Sequence, residues 1–410
     1  MNVTENRQTV EQGKKGTGIL MTETERRYAY FMCSIPAIGG VRAGQLLARF
    51  GSPRGVYEAE TEALRECVSA SVAEAMERQK KSGEWEREYE QLAEKQIRFI
   101  LREEEGFPQK LAEIPDPPYG LFYRGSLSEE TRPAVAVIGA RECSEYGRYV
   151  AEELGRYLGS AGIPVISGMA RGIDGISQQA ALSAGGASYG VLGCGVDICY
   201  PSQNRRLYEE LLQKGGLLST YAPGTRPLPQ YFPPRNRIVS GLSDALIVIE
   251  ARQKSGTLIT VDMALEQGKD VYVVPGRITD RLSDGCNRLL TQGAGVFLSP
   301  ESFVEEFLKS WEEKQGLSTE TPDGKRRRKG RRTDSGNKEN MTKVKLPKES
   351  LQKIFECLEP LPKTSEALLQ ELWEMGEYTD ISELNRGLME LELLGYARQS
   401  APGHFSTSAN

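Results

Sequence analysis

Five short, unbroken apolar runs punctuate the middle of the chain, each stopping at a turn residue or a charge. Ala134–Ile138 closes on Gly139, Ile163–Ile166 on Ser167-Gly168, Tyr189–Leu192 on Gly193, Ala245–Ile249 on Glu250, and Val271–Val274 on Pro275-Gly276. Amphipathic segments of helical period follow the first, second and fourth runs: Tyr146–Gly159, Ile173–Ala184 and Leu258–Gly268. Strands that are apolar on both faces and alternate with helices predict a parallel sheet covered on both sides. The fold class is therefore α/β, a doubly wound and mainly parallel sheet over residues 134–310.

The pattern changes on either side of this block. Residues 1–24 are polar and aperiodic and read as a flexible leader, whereas 25–106 is dominated by helical periodicity, including a charged helical stretch over 72–105. Inside it, IPAIGGVRAGQLLARF sets the pair Gly39-Gly40 between two helical runs. Such a turn brings backbone N–H groups at a helix N-terminus close to a phosphate, the contact made by a helix-hairpin-helix. A tight αα corner with no ligand fits the same spacing, and spacing alone does not separate the two. Residues 107–133 form a proline-containing connector, and 311–348 a linker. From Pro322 to Lys348 the linker carries 11 Lys+Arg against 3 Asp+Glu and has no apolar face to repay ordering. Residues 349–410 contain three amphipathic stretches, Leu351–Leu358, Ser365–Trp373 and Ile381–Leu394, and then a short hairpin, the outline of a winged helix. Its 4 Lys+Arg against 11 Asp+Glu argue against phosphate binding and for protein contact.

Composition narrows the chemistry. The 410 residues hold 52 Lys+Arg and 57 Asp+Glu, for a net charge of −5. No apolar run approaches the roughly 18 residues that span a bilayer, and MNVTENRQTVEQGKKG lacks the apolar core of a secretory signal. A cytoplasmic protein with no membrane contact is expected. Seven cysteines without a CxxC pair, and His404 as the sole histidine, argue against a zinc site, a histidine triad and a disulfide framework. No catalytic residue, metal or cofactor is expected.

What remains is a set of cations and glycine turns at the strand ends. In an open α/β sheet, ligands bind beyond the carboxyl ends of the strands, where helix N-termini face outward. Those ends carry Gly139-Ala140-Arg141, Ser167-Gly168-Met169-Ala170-Arg171-Gly172, Tyr200-Pro201-Ser202-Gln203-Asn204, Phe232-Pro233-Pro234-Arg235-Asn236-Arg237 and Lys254-Ser255-Gly256-Thr257. Neither GxGxxG nor GxxxxGK[ST] occurs there, which disfavours a dinucleotide site and a P-loop. Arg141, Arg171, Arg235, Arg237 and Lys254 are expected to gather at one edge as a polyanion groove. Residues 134–300 hold 16 Lys+Arg and 15 Asp+Glu, so binding rests on local arrangement rather than a general field. Tyr200, Tyr231 and Phe232 lie beside these cations, where aromatic faces suit unstacked bases, although core packing is the commoner role for such side chains.

Taken in order, VAVIGARECSEYG, IPVISGMARGID, VLGCGVDICYPSQN, FPPRNRIVSGLSD, ARQKSGTLITVDMALEQG, VYVVPG and DGCNRLLTQGA closely resemble the DNA-processing protein A (DprA/Smf) family. The resemblance implies a Rossmann-like domain flanked by an N-terminal helix-hairpin-helix or SAM-like domain and a C-terminal winged helix. It also implies a non-enzymatic, sequence-independent single-stranded DNA-binding protein. Such a protein protects incoming DNA in natural transformation, displaces single-strand-binding protein and loads the RecA recombinase as a homodimer. Carried over by motif, the DNA contacts are Arg141, Ser167 and Gly168 with Arg171 and Gly172, Asn204, Arg235, Asn236 and Arg237, and Lys254, Ser255 and Gly256. One departure stands out: Gln178 occupies the place of a usual His, so a pH-dependent contribution there is in doubt.

Two other readings compete. Related Rossmann-like enzymes hydrolyse nucleoside monophosphates at a Gly-rich turn with a nearby Glu. Glu250 and Glu266 are the candidates here, but the Gly-Gly-x-Gly-Thr pattern of those enzymes is missing. A scaffold that works mainly through its acidic C-terminal domain is the third reading.

Overall fold

The computed structural model describes residues 21–128, 131–314, 348–359, 362–375, 380–401 and 403–408. The expected leader up to residue 20 and nearly all of the basic linker lie outside the described residues. The chain divides into two units, residues 1–315 and 316–410.

The first unit is built on a nine-stranded sheet. In chain order its strands are β1 (Arg98–Leu101), β2 (Gly120–Gly125), β3 (Val135–Ile138), β4 (Val165–Ser167), β5 (Ser188–Val191), β6 (Gly215–Ser219), β7 (Ala245–Val248), β8 (Asp270–Val273) and β9 (Gly295–Val296). Their spatial order is β1-β2-β6-β5-β4-β3-β7-β8-β9. From β6 to β9 every pairing is parallel, and β2 and β1 extend the sheet antiparallel at one edge. The segment β5-β4-β3-β7-β8-β9 has the strand order of the Rossmann fold. Its direction of winding reverses between β3 and β7, which pair from Val135↔Ala245 to Ile138↔Val248.

The unbroken apolar runs follow from double burial. Val135 and Val137 join one core with Ala245 and Ile247, against Leu154 and Leu158 of helix Glu145–Ser160 and Phe303 and Phe307 of helix Pro300–Lys314. Ala136 and Ile138 join the opposite core with Leu246 and Val248, against Ile238 and Val239 of helix Phe232–Gly241 and Val261 and Ala264 of helix Gly256–Glu266. Strand residues alternate between the two faces, and both faces are dry.

The charged stretch read as helical over 72–105 is only partly so. Helices Ala70–Ser82 and Glu84–Glu90 occupy its beginning, and Arg98–Leu101 is strand β1. Phe99 and Phe122 from β1 and β2 carry the ring of Tyr30 from helix Glu23–Cys33, edge-on at 5.8 and 5.7 Å. In the Gly39-Gly40 turn, Gly39 is exposed and Gly40 packs against the connector. A Cβ on Gly40 would run into the carbonyl of Pro117 in the connector, so the glycine serves a close chain–chain approach.

The second unit contains helices Glu349–Cys357, Ser365–Glu374 and Ile381–Leu393, with strands β10 (Lys363–Thr364), β11 (Ala397–Ala401) and β12 (His404–Thr407). The strands pair antiparallel in the order β10-β12-β11, and Leu351, Leu368, Leu384, Leu388 and Phe405 form a core of their own.

Candidate functional site

At the reversal point between β3 and β7, the carboxyl ends of the strands open into a groove of about 540 Å³. The loop after β3 contributes Gly139, Ala140, Arg141 and Glu142, and the loop after β7 contributes Arg252, Lys254 and Ser255. Gly168 follows β4, and Phe232, Arg235 and Asn236 come from the first turns of helix Phe232–Gly241.

The sides of the groove are built for an anion. Arg141, Arg252 and Lys254 are exposed at its mouth. Helix Gly256–Glu266 points its N-terminus at them, and the Ser255 hydroxyl caps it by accepting from the Thr257 N–H at 3.2 Å. Nothing stands within 4 Å of where a Cβ would lie on Gly256, so a ligand has open access to the backbone there.

Arg235 plays a different part. It is 6% exposed, and its guanidinium donates to the carbonyl of Gly168 at 2.7 Å and to that of Val191. Asp174, also buried, accepts from the Gly168 N–H at 3.1 Å. Burial lowers the pKa of the Arg235 guanidinium and raises that of the Asp174 carboxyl, and in each case the opposite charge of the other residue opposes the shift. The pair clamps the ends of β4 and β5 and forms the floor of the groove. Gly168 leaves no alternative, because a Cβ there would lie 2.7 Å from the Arg235 nitrogens.

The loop above this floor is braced from below. Met169 adopts a left-handed φ of +53°, and its N–H donates to the Gln178 side chain at 3.1 Å. The Gln178 amide in turn donates to the Ser188 hydroxyl and the Tyr189 carbonyl, each at 3.1 Å. Gln178 is fully buried, with its acceptor and donor both engaged, so its contribution is to loop geometry rather than to a titrating contact. Asn204 supports the same loop by donating to the carbonyls of Met169 and Ala170 at 2.9 and 3.0 Å.

The residues expected to form the groove are therefore only partly assembled. Arg141, Gly168, Arg235, Asn236, Lys254, Ser255 and Gly256 line it, and Arg252 and Thr257 join them although sequence reasoning did not single them out as contacts. Their signal was their closeness to Lys254, Arg252 in the same loop and Thr257 in the first turn of the helix that follows. Ser167 is buried and donates to the Val137 carbonyl at 2.6 Å. Gly172 and Asn204 line a separate depression with Arg148 and Arg206, and exposed Arg171 lies on the loop between the two cavities. Arg237 turns away altogether, pairing with Glu266 at 3.2 Å and donating to the Pro115 carbonyl. The five expected cations thus do not share one edge, and Arg235 and Arg237 diverge because positions two apart on helix Phe232–Gly241 face nearly opposite sides.

The carboxylates nominated for hydrolysis also lie outside the groove. Glu266 is held by Arg237, and Glu250 accepts from the Ser144 N–H at 3.0 Å and from its hydroxyl. Glu250 so occupies the N-terminal end of helix Glu145–Ser160 with a charge of the protein's own, and burial raises its pKa.

The profile of the DNA recombination-mediator protein A family matches residues 98–308, half of the chain and all nine strands of the sheet. The chain belongs to this family. Protein Smf of Synechocystis sp. is 31% identical over 400 residues, covering 93% of this family member and 98% of its own length. DNA processing protein DprA of Streptococcus pneumoniae is 43% identical over 201 residues, covering 49% of this chain and 71% of its own. The X-ray structure of DNA processing protein A from Streptococcus pneumoniae covers 68% of this chain and 97% of its own, at 32% identity and a TM-score of 0.59. Membership in DprA/Smf thus joins the Rossmann-like sheet to the recombination-mediator class. Among the described residues, no helix is long and apolar enough to cross a membrane, and no cluster of ligating side chains fits a metal ion.

Proposed function

We propose that this DprA/Smf protein binds single-stranded DNA without sequence preference in the groove between β3 and β7. The observation that carries the reading is the convergence of exposed Arg141, Arg252 and Lys254 on the open N-terminus of helix Gly256–Glu266, over a floor fixed by buried Arg235. Cations and backbone amides supply phosphate contacts that hold a strand regardless of its bases. The protein acts as a binder and handler of the strand rather than by cutting it. Family membership supports assigning that handling to protection of incoming DNA, displacement of single-strand-binding protein and loading of a RecA-type recombinase, by a homodimer in the cytoplasm. The acidic C-terminal unit, read as a winged helix, serves protein contact.

The test is the salt dependence of binding, measured by fluorescence anisotropy on a single-stranded oligonucleotide. Log affinity should fall with log salt at about −0.7 per phosphate neutralised. Arg141→Ala combined with Lys254→Ala should weaken binding to all sequences alike and flatten the slope by roughly 1.4, two phosphates' worth. An unchanged slope and affinity in this double variant would remove the groove as the binding site.

A further inference from the structure

We infer that Glu250 is a positioning residue of this site: it ties the loop that carries Arg141 to the strand that leads into Arg252 and Lys254, and so fixes the spacing of the cations on the two sides of the groove. The inference rests on the single-stranded DNA reading above. At the reversal point the chain parts. The helix that follows β3, Glu145–Ser160, packs on one face of the sheet, and the helix that follows β7, Gly256–Glu266, packs on the other. The two strands pair as far as Ile138↔Val248, and the Ile249 N–H donates to the Ile138 carbonyl at 3.0 Å. Beyond that point the loops diverge toward opposite faces, and ladder bonds no longer set the distance between them.

Glu250 crosses this gap. It follows Ile249 directly, is 3% exposed, and has φ +83°, a conformation that L residues rarely adopt. Its carboxylate reaches the start of the helix on the other side. One oxygen accepts from the Ser144 N–H at 3.0 Å and the other from the Ser144 hydroxyl. Ser144 is the N-cap of that helix, its hydroxyl accepting from the Gly147 N–H at 3.1 Å. Gly147 makes room for the carboxylate, because a Cβ there would lie 2.4 Å from Glu250 Oε2. A glycine, poor in a helix, is thus the condition for the contact. Ser144 lies three residues after Arg141, and Glu250 two before Arg252. The intervening Ala251 is fixed as well: its N–H donates to the Leu282 carbonyl, and its carbonyl accepts from the Gly285 N–H, each at 2.8 Å. The Thr257 hydroxyl makes a second, longer tie across the gap, to the Gly139 carbonyl at 3.4 Å. An acidic residue beside a phosphate site repels the ligand if its charge faces the site. This charge is turned off the groove and onto a helix N-terminus, and what it gives the ligand is geometry.

The sign of the effect separates the two roles. A carboxylate that acts on DNA through its charge strengthens binding when removed, whereas one that holds Arg141 in place weakens it. The experiment measures affinity and salt slope on a (dT) oligonucleotide by anisotropy, using the full-length protein with Glu250→Ala, Glu250→Gln and Arg141→Ala, and with Glu250→Ala and Arg141→Ala combined. Glu250→Ala should weaken binding roughly 10-fold and flatten the slope by about 0.7, one phosphate's worth, as Arg141→Ala does. Once Arg141 is gone, Glu250→Ala should cost nothing further. Glu250→Gln loses the charge but keeps an acceptor for Ser144, so it should recover most of the affinity and the slope. Ser144→Ala removes one donor from the far end of the tie and leaves β7 untouched; it should weaken binding in the same direction, and it decides the matter if Glu250→Ala does not fold. Unchanged or tighter binding in Glu250→Ala, or in Ser144→Ala where that variant decides, would overturn the inference, as would a full additional loss on top of Arg141→Ala. The groove reading survives those results. Undiminished binding in the protein with Arg141→Ala and Lys254→Ala would instead remove the groove, and the inference with it.

Discussion

The guanidinium of Arg235 spends its donors on the backbone of its own protein, on Gly168 and Val191, with Asp174 buried beside it. A charge placed this way shapes the groove without being offered to a ligand. Breaking such a buried arrangement costs more than removing a surface charge, because the partner is left uncompensated and two carbonyls lose their donor. Arg235→Ala should therefore destabilise the protein by about 3–5 kcal/mol, measured by denaturant unfolding. Arg235→Lys keeps the charge but not the fork that reaches two carbonyls, so it should remain clearly less stable than the unaltered protein. Full stability in both variants would show that the guanidinium holds nothing together. The sequence places Arg235 and Arg237 two residues apart in one motif, and residue type alone does not say that the first is buried and the second held by Glu266 and Pro115.

At the scale of elements, what is legible depends on burial. Strands β3, β4, β5 and β7 are visible in the sequence because each is buried throughout, and β8 because its run Val271–Val274 is apolar although Tyr272 is only half-buried. Strand β6 is not, because it opens with Gly215-Gly216, which resemble a turn. They are required because a Cβ at either position would run into the neighbouring chain, at the carbonyl of Ser188 or of Ser126. β1 and β2 are hidden by their neighbours, a charged helical stretch and a proline-containing connector, and gain their strand partners only through the tertiary fold. The location of the groove follows from strand order and was legible. Gly172, in the separate depression, and Gly256, in the groove, illustrate opposite uses of that residue. Gly172 has φ +74° and a Cβ there would meet the carbonyls of Ala140 and Arg141, so Gly172→Ala should cost about 1–3 kcal/mol in unfolding free energy. Gly256 sits in open space at a helix N-terminus, so Gly256→Ala should leave thermal stability unchanged or slightly raised while weakening strand binding. A stability loss at Gly256 matching that at Gly172 would contradict this division.

At the scale of the whole molecule, the helical N-terminal region and the sheet share a core. Tyr30, Phe31 and Met32 lie in one apolar cluster with Phe99, Leu101 and Phe122 of β1 and β2, and with Val196 and Ala222 beyond β5 and β6. A region whose core is completed by another should not unfold ahead of it. Three thiols report on this. Burial pushes the pKa values of Cys33, Cys194 and Cys286 each up to about 12, and they lie in three different clusters, the first among the N-terminal helices and the other two around the parallel sheet. At pH 8 these thiols are protonated and shielded, so a disulfide reagent such as DTNB should leave them unreacted in the native protein. As denaturant is added, Cys33 and Cys286 should become reactive in one transition with a common midpoint. Cys357 belongs to the separate core of the C-terminal unit and should be released in a transition of its own. Mass spectrometry of the labelled peptides assigns each midpoint. Release of Cys33 well below the midpoint of Cys286 would show that the N-terminal helices fold independently, and that the Tyr30–Phe99–Phe122 packing does not couple them to the parallel sheet.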